Sequence, residues 1–523
     1  MDGFTLGGRR LRVERSSPPV KTPLKPAHRT AAPAKTASVR AHLEACRTAG
    51  DVLGLFEAEG VDFHGVDYAS CLRRLGGFGR SSDRAQSLAD RAASSVFDEP
   101  AAWHARGLSG SVWAAAKLGI ASPDLFRNVA AESAKKMETF APRELATTVW
   151  AFAKAGIAAP VLFEAISAEA LKKMHAFNSR ALANTVWAFA KAGVSAPSLF
   201  AAVALQASEK IQTLNAQALA NTAWAYSKRG YSDPSLFEAI AREAAKKMAT
   251  FNAQDLANTA AAFAALKADA PLLFQAVAEE ATKKIADFTP QNVANTAWAF
   301  ASSGFEAPQL FEALASEAVK KISRFNAQEL SNTAWAFSKA GCRAPDLFQI
   351  ISLESASKLA SFTPQNLANT VWAFAKAGVS APRLFAAAAF KGTNIVSRFS
   401  PQNMANTTWA FATAGIEAPE LFAAIAAEAP GKMDAFTPQN LSNTAWAYAT
   451  LGVDAPWLFQ KIASDVPQKI ATFNPQALAN TAWAFATARA DAPLLFEAVA
   501  AEAMKKKRIA SFNAQNLANI VWA

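Results

Sequence analysis

A phrase that returns at a fixed interval restricts this chain more than anything else in it. FNSRALANTVWAFAKAG (177–193), FNAQELSNTAWAFSKAG (325–341) and FTPQNLANTVWAFAKAG (362–378) are copies of it. Their tryptophans fall at 113, 150, 187, 224, 298, 335, 372, 409, 446 and 483, with Ala261 standing in once, and every step is 37 residues. The last copy, Trp522, comes 39 residues after Trp483, the extra two falling around Lys505 to Arg508. A constant period over ten steps is the mark of a solenoid, and it overrides the prior of about 100–200 residues per domain.

Each repeat reads as two helices. Asn326 or Thr363 supplies an N-cap oxygen, Pro364 fits the first turn, and Gly341 or Gly378 ends the first helix. Ala-Pro opens the second, as in APSLFAAVALQASEKIQTL (196–214). No strand pattern competes. A helical hairpin of this size buries its apolar face only against neighbouring hairpins. The expected fold is therefore all-α, a right-handed-type α-solenoid of two-helix 37-residue repeats over residues 105–523, preceded by a degenerate N-terminal repeat or cap over 41–104. Within that cap, DFHGVDYASCLRRLGGFG (62–79) looks like a worn copy of the first helix, with Arg73 and Arg74 where Trp-Ala stands elsewhere. At the other end Ala523 follows Trp522 in mid-helix, which predicts that the natural chain continues.

The chain carries a net charge of +11. Residues 1–40 hold nine Lys/Arg against Asp2 and Glu14, so the remaining body is only +4. A body that grips nucleic acid by bulk charge is excluded. The basic, Ser/Thr/Ala/Pro-rich segment 1–40 has the composition of an organelle transit peptide or of a disordered basic tail, and composition does not separate them. Three distant cysteines (Cys46, Cys71, Cys342) fit neither a disulfide framework nor a zinc site, and five early histidines form no paired ligand set. No metal or other cofactor is expected. Asn, Lys, Glu or Pro interrupts every apolar run before the roughly 18 residues a membrane helix needs.

A helical wheel places Leu182, Ala183, Val186, Trp187, Phe189 and Ala190 in one arc. The tryptophans are thereby expected in the core, not as a stacking column for bases. Opposite lies a polar stripe. Seven residues before Trp it is Gln in nine copies, with Arg143 and Arg180 earlier. Three before Trp it is Asn, as at Asn184, Asn221, Asn258, Asn295, Asn332 and Asn369. An amide repeated in every hairpin either bonds its equivalent one repeat along or holds phosphates; being invariant, it encodes no sequence.

Two columns vary. Four after Trp stand Lys117, Lys154, Lys191, Lys228, Lys339 and Lys376, with Ala, Ser or Thr elsewhere; six before Trp, Asn292, Asn366, Asn403 and Asn440 alternate with Ala, Asp and Glu. Polar side chains that change once per repeat are what a modular base reader requires, and drift on a solvated face gives the same pattern. The second helix has its own lysines (136, 173, 247, 284 and 321 among them), most with an acid four residues earlier. That spacing reads as a solvated outer face with cancelling charge. The first-helix lysines have no acid three or four residues before them and are the better phosphate contacts. Arg73 and Arg74 either extend that track or only solubilise the cap.

LANTxWAFAKAG followed by APxLFEAIAAEA resembles the heptatricopeptide and octotricopeptide repeat family, α-solenoids that bind organellar RNA, over about residues 105–523. YASCLRRLGGFG is similar to the leucine-rich helices of FAST-kinase-like mitochondrial proteins, and the layout is similar to an RNA-editing substrate-binding complex subunit. The resemblance implies a place in a mitochondrion or chloroplast and work in RNA processing, stability, editing, ribosomal RNA maturation or translation. Many of these relatives carry a RAP domain, and no activity of that module is carried over to this sequence.

Two functions follow as expectations. The first is binding of single-stranded RNA along the concave face, about one nucleotide per repeat; the alternative is a protein-binding scaffold. An enzyme is not expected, because no nucleophile-base set, phosphate loop or metal cluster appears.

Overall fold

The computed structural model describes residues 33–60, 63–79, 82–505, 508 and 510–523, with the side chains of 33–38 excepted. The transit-peptide or tail reading falls mostly on residues 1–32, outside the described residues. Among the described residues every regular element is a helix. The array is built as the period predicts. In one repeat Ser179–Ala192 is the first helix and Pro197–Glu209 the second, followed by a short 3-10 turn, Ile211–Thr213.

Local chemistry sets these boundaries. Asn178 Oδ1 accepts the Ala181 amide at 2.9 Å, satisfying one orphan donor of the first turn. Gly193 closes the helix in the left-handed region (φ 73°), where a Cβ would be strained. Pro197 fits the first turn of the second helix, where no N–H is needed.

The core is a continuous double layer. Leu182, Val186 and Phe189 of a first helix and Leu199, Phe200 and Val203 of a second are fully buried. Phenylalanines lock repeats together: Phe163 of one second helix meets Phe189 of the next first helix edge-on, centroids 5.0 Å apart. Successive first helices pack far more closely than successive second helices do. Their facing residues are alanines, as at Ala183 and Ala188, which let backbones approach. A stack tighter on one side curves toward it, so the first helices line the concave face.

At the N-terminal end Pro33–Ala45, Ala49–Glu59, Gly65–Phe78 and Asp83–Asp98 precede the array. Gly65–Phe78 packs on Ala105–Leu118 as first helices pack on one another, and Asp83–Asp98 packs on Pro123–Lys135 as a second helix would. The first of these is therefore the opening rung of the concave layer.

Candidate nucleic-acid interface

Apart from its end residues, only one narrow stripe of each first helix reaches solvent. In Ser179–Ala192 it comprises Arg180, Asn184, Trp187 and Lys191, at i, i+4, i+7 and i+11. The rest is covered by the second helix and by the first helices on either side. Each repeat thus presents one rung, and the rungs succeed one another along the concave face.

The tryptophans belong to that stripe, which corrects the expectation of a core residue. Each array tryptophan from Trp113 to Trp483 is half-buried. They form a ladder: Trp150, Trp187 and Trp224 have centroids 6.4 and 6.3 Å apart, and Trp335, Trp372 and Trp409 repeat this at 6.4 and 6.1 Å. The cause is the width of the buried arc. Helices walled in on three sides leave a single exposed line, and the indole lies along its edge. Ala261 interrupts the ladder, itself partly buried against the core.

The columns separate. Asn184, Asn221, Asn258, Asn295, Asn332 and Asn369 are half-buried in the stripe beside the indoles. Their amides bond no protein partner among the described residues, so the amide ladder does not form and the groups face the groove. Asn292, Asn366, Asn403 and Asn440 do not. Their Oδ1 atoms accept the backbone amides of Thr289 (3.0 Å), Thr363 (3.2 Å), Ser400 (3.1 Å) and Thr437 (3.1 Å), closing capping boxes. Asn292, Asn366 and Asn440 are buried, and Asn366 Nδ2 also donates to Ser331 Oγ of the preceding repeat at 3.2 Å. This column is the third-residue partner of the capping box, and the base-reading expectation for it is withdrawn.

Lys117, Lys154, Lys191, Lys228, Lys339 and Lys376 are all exposed on the groove, and among the described residues none forms an ion pair. Lys117 lies 5.1 Å over the Trp113 ring. Arg73 and Arg74 part company. Arg74 turns back into the cap, where its Nη2 donates to the Cys46 carbonyl at 2.8 Å. It extends no track. Arg73 occupies the tryptophan place of the opening rung; burial, with Arg106 and Arg143 nearby, pulls its guanidinium below its ordinary value. Arg106, seven before Trp113, was missing from the sequence candidates, although the column containing Arg143 and Arg180 extends back to it.

The second-helix lysines overturn the solvated-face expectation. Lys173 Nζ donates to the carbonyls of Glu138 (2.7 Å) and Phe140 (2.9 Å) in the preceding repeat, and lies 2.8 Å from Glu169 Oε1. Glu169 is buried, and bonds from Lys173 and Lys172 hold its carboxyl below the usual range. Lys136, Lys210, Lys247, Lys284, Lys321, Lys358, Lys432 and Lys469 make the same backward reach. Where the two extra residues intervene, Arg508 takes the place, pairing Glu502 at 3.0 Å and donating to the Phe473 and Ala471 carbonyls. Lys506 lies outside the described residues. These cations clamp repeats together and are spent.

The groups that reach solvent on the concave face are thus amides, partly buried indoles and unpaired cations. Indoles stack on bases, amides bond base edges or sugars, and the cations suit phosphates.

Comparison with known proteins gives one family. Residues 96–343 and 304–523 match the family described as RNA-editing substrate-binding complex 6 protein, together more than three quarters of the chain. No curated protein matches. Among solved structures, a chain of a homology model of the full-length AP-3 complex in an intermediate open conformation is similar over 93% of this chain and 90% of that one, at 8% identity and a TM-score of 0.29. Likeness at that level carries no argument about function.

Proposed function

Since the chain belongs to the RNA-editing substrate-binding complex 6 protein family, we propose that it binds single-stranded RNA along its concave face and acts, without catalysis of its own, in organellar RNA metabolism such as editing. The array is of the heptatricopeptide kind, and its compartment is the mitochondrion or the chloroplast. One observation carries the reading: six lysines on the groove stand unpaired beside a ladder of partly buried indoles, while the other comb of lysines is consumed by structure. Unpaired cations retained on one face suit an anionic chain, and sequence-tolerant stacking suits its bases.

The test is a salt titration. Replacing Lys154, Lys191, Lys228, Lys339 and Lys376 by Gln should weaken RNA binding and flatten its dependence on salt, by about 0.7 in the log-log slope for each phosphate of a single strand that is no longer neutralised. Binding that ignores both salt and these lysines refutes the reading.

A scaffold role has one observation in its favour, and it lies elsewhere. Leu353 and Phe390, at equivalent places on adjacent second helices, are 58% and 77% exposed on the outer layer. That pair suits a protein contact outside the groove.

A further inference from the structure

Resting on the RNA reading, we infer that the N-terminal end of the groove holds a terminal phosphate of the RNA, a phosphomonoester and not an internal diester, among Arg73, Arg106 and Arg143. The place seven before Trp is arginine in the first three tryptophan-bearing rungs (Arg106, Arg143, Arg180) and glutamine from Gln217 onward. Arg73 stands on Gly65–Phe78, the rung at which the concave layer begins. In the next rung the usual asparagine is Gly110, where a Cβ would sit 3.4 Å from Arg73 Cδ. A full side chain there would meet the arginine stem, so the glycine makes the floor on which Arg73 lies.

The first-turn acids of Gly65–Phe78 and Pro142–Ala155 close capping boxes. Glu144 accepts the Ala141 amide at 3.0 Å and Asp67 the His64 amide at 3.0 Å. Among the described residues Arg73, Arg106 and Arg143 form no ion pair, so no salt bridge offsets the repulsion that Arg106 and Arg143 exert on Arg73. Charge density then selects the ligand. An internal diester brings one negative charge, and in the rungs of Lys339 and Lys376 one cation suffices, beside Gln328 and Gln365. A phosphomonoester brings about −1.5 to −2 at neutral pH and three acceptor oxygens, which guanidiniums meet in bidentate fashion. The surplus of cations at the groove's end answers that extra charge.

The experiment uses the full chain and one oligoribonucleotide sequence in three forms: 5′-phosphorylated, 3′-phosphorylated, and hydroxyl at both ends. Fluorescence anisotropy should show one phosphorylated form binding about tenfold or more tighter than the hydroxyl form, the size of one or two charge-assisted hydrogen bonds. Arg106→Gln with Arg143→Gln, both at exposed positions, should abolish the preference; circular dichroism checks that the helices persist. Lys339→Gln with Lys376→Gln should weaken all three forms equally and leave the preference intact. Equal affinity for the three RNAs overturns the terminal site and leaves groove binding standing; failure to bind any of them removes the RNA reading itself. Retention of the preference by the arginine variant also overturns the site. So does displacement of the phosphorylated RNA by a mononucleotide at the concentration of the oligonucleotide, because the ligand would then be a free nucleotide.

Discussion

Replacing Lys321 by Gln tests the clamp most directly. Its Nζ donates to the carbonyls of Ala286 (2.8 Å) and Phe288 (2.7 Å) and lies 2.7 Å from Glu317 Oε1, with side-chain exposures of 20% for the lysine and 5% for the glutamate. Net hydrogen bonds to a charged group contribute about 1.5–3 kcal/mol each when buried, and an abandoned buried carboxylate adds more. Two corrections reduce this. Lys321 is partly in water, and Lys320 still pairs Glu317 Oε2 at 3.2 Å. The expected loss is about 2–3 kcal/mol, against a few tenths for an ordinary pair one turn apart. Because the bonds cross a repeat boundary, the loss falls on an interface, and a quasi-linear array should begin to unfold in two steps at that boundary. The assay is urea unfolding followed by tryptophan fluorescence, with hydrogen exchange over 285–325, and Lys154→Gln on the groove as control, expected within about 0.5 kcal/mol of wild type. If Lys321→Gln and Lys154→Gln cost the same small amount, the lysines are a solvated face after all and the clamp is refuted.

Asn366→Ala should cost about 1 kcal/mol through the lost capping-box bond to Thr363 and leave RNA affinity unchanged; a change in base preference would restore the base-reading role to that column. Lowering the pH tests the glutamates. Bonds from Lys321 hold the Glu317 carboxyl below its usual range, so its contribution is complete above the unfolded value near 4.3 and is lost as pH falls through the folded one. Glu317→Gln should therefore melt lower than wild type at pH 6, and the difference should shrink toward pH 3. Phe189→Ala, which empties a fully buried place between two repeats, should cost about 3–5 kcal/mol by denaturant titration.

The architecture was legible because its causes are local and repeated: a cap at Asn326 or Thr363, a proline at helix position one, a glycine at the end and a period that no compact domain keeps. The site was only half legible. A wheel assumes one buried side, and it assigned Trp187 to the core because it had no way to count the neighbouring first helices that narrow the exposed line. Asn366 looked like a variable surface amide, since its alternation with Glu, Asp and Ala is also what a capping position tolerates. The second-helix lysines misled for another reason. A pair four residues apart is visible in sequence, whereas a side chain bonding backbone carbonyls one repeat earlier leaves no residue signature at the acceptor. The groove lysines were found by that same subtraction, as the cations without an acid nearby.

The backward reach of each clamp has a genetic consequence. Lys321 finds its acceptors 35 and 33 residues earlier, and Lys173, Lys210, Lys247, Lys284, Lys358 and Lys432 span the same distances. Both halves of such a junction therefore survive the gain or loss of one whole repeat, wherever in the array it occurs. Unequal recombination between copies in the same register would yield chains that still close their junctions, differing in the number of rungs. Footprint length on a ligand then becomes a matter of copy number, adjustable in single steps. Insertions of other lengths face selection at once, and the one this chain carries sits beside an arginine long enough to cross it.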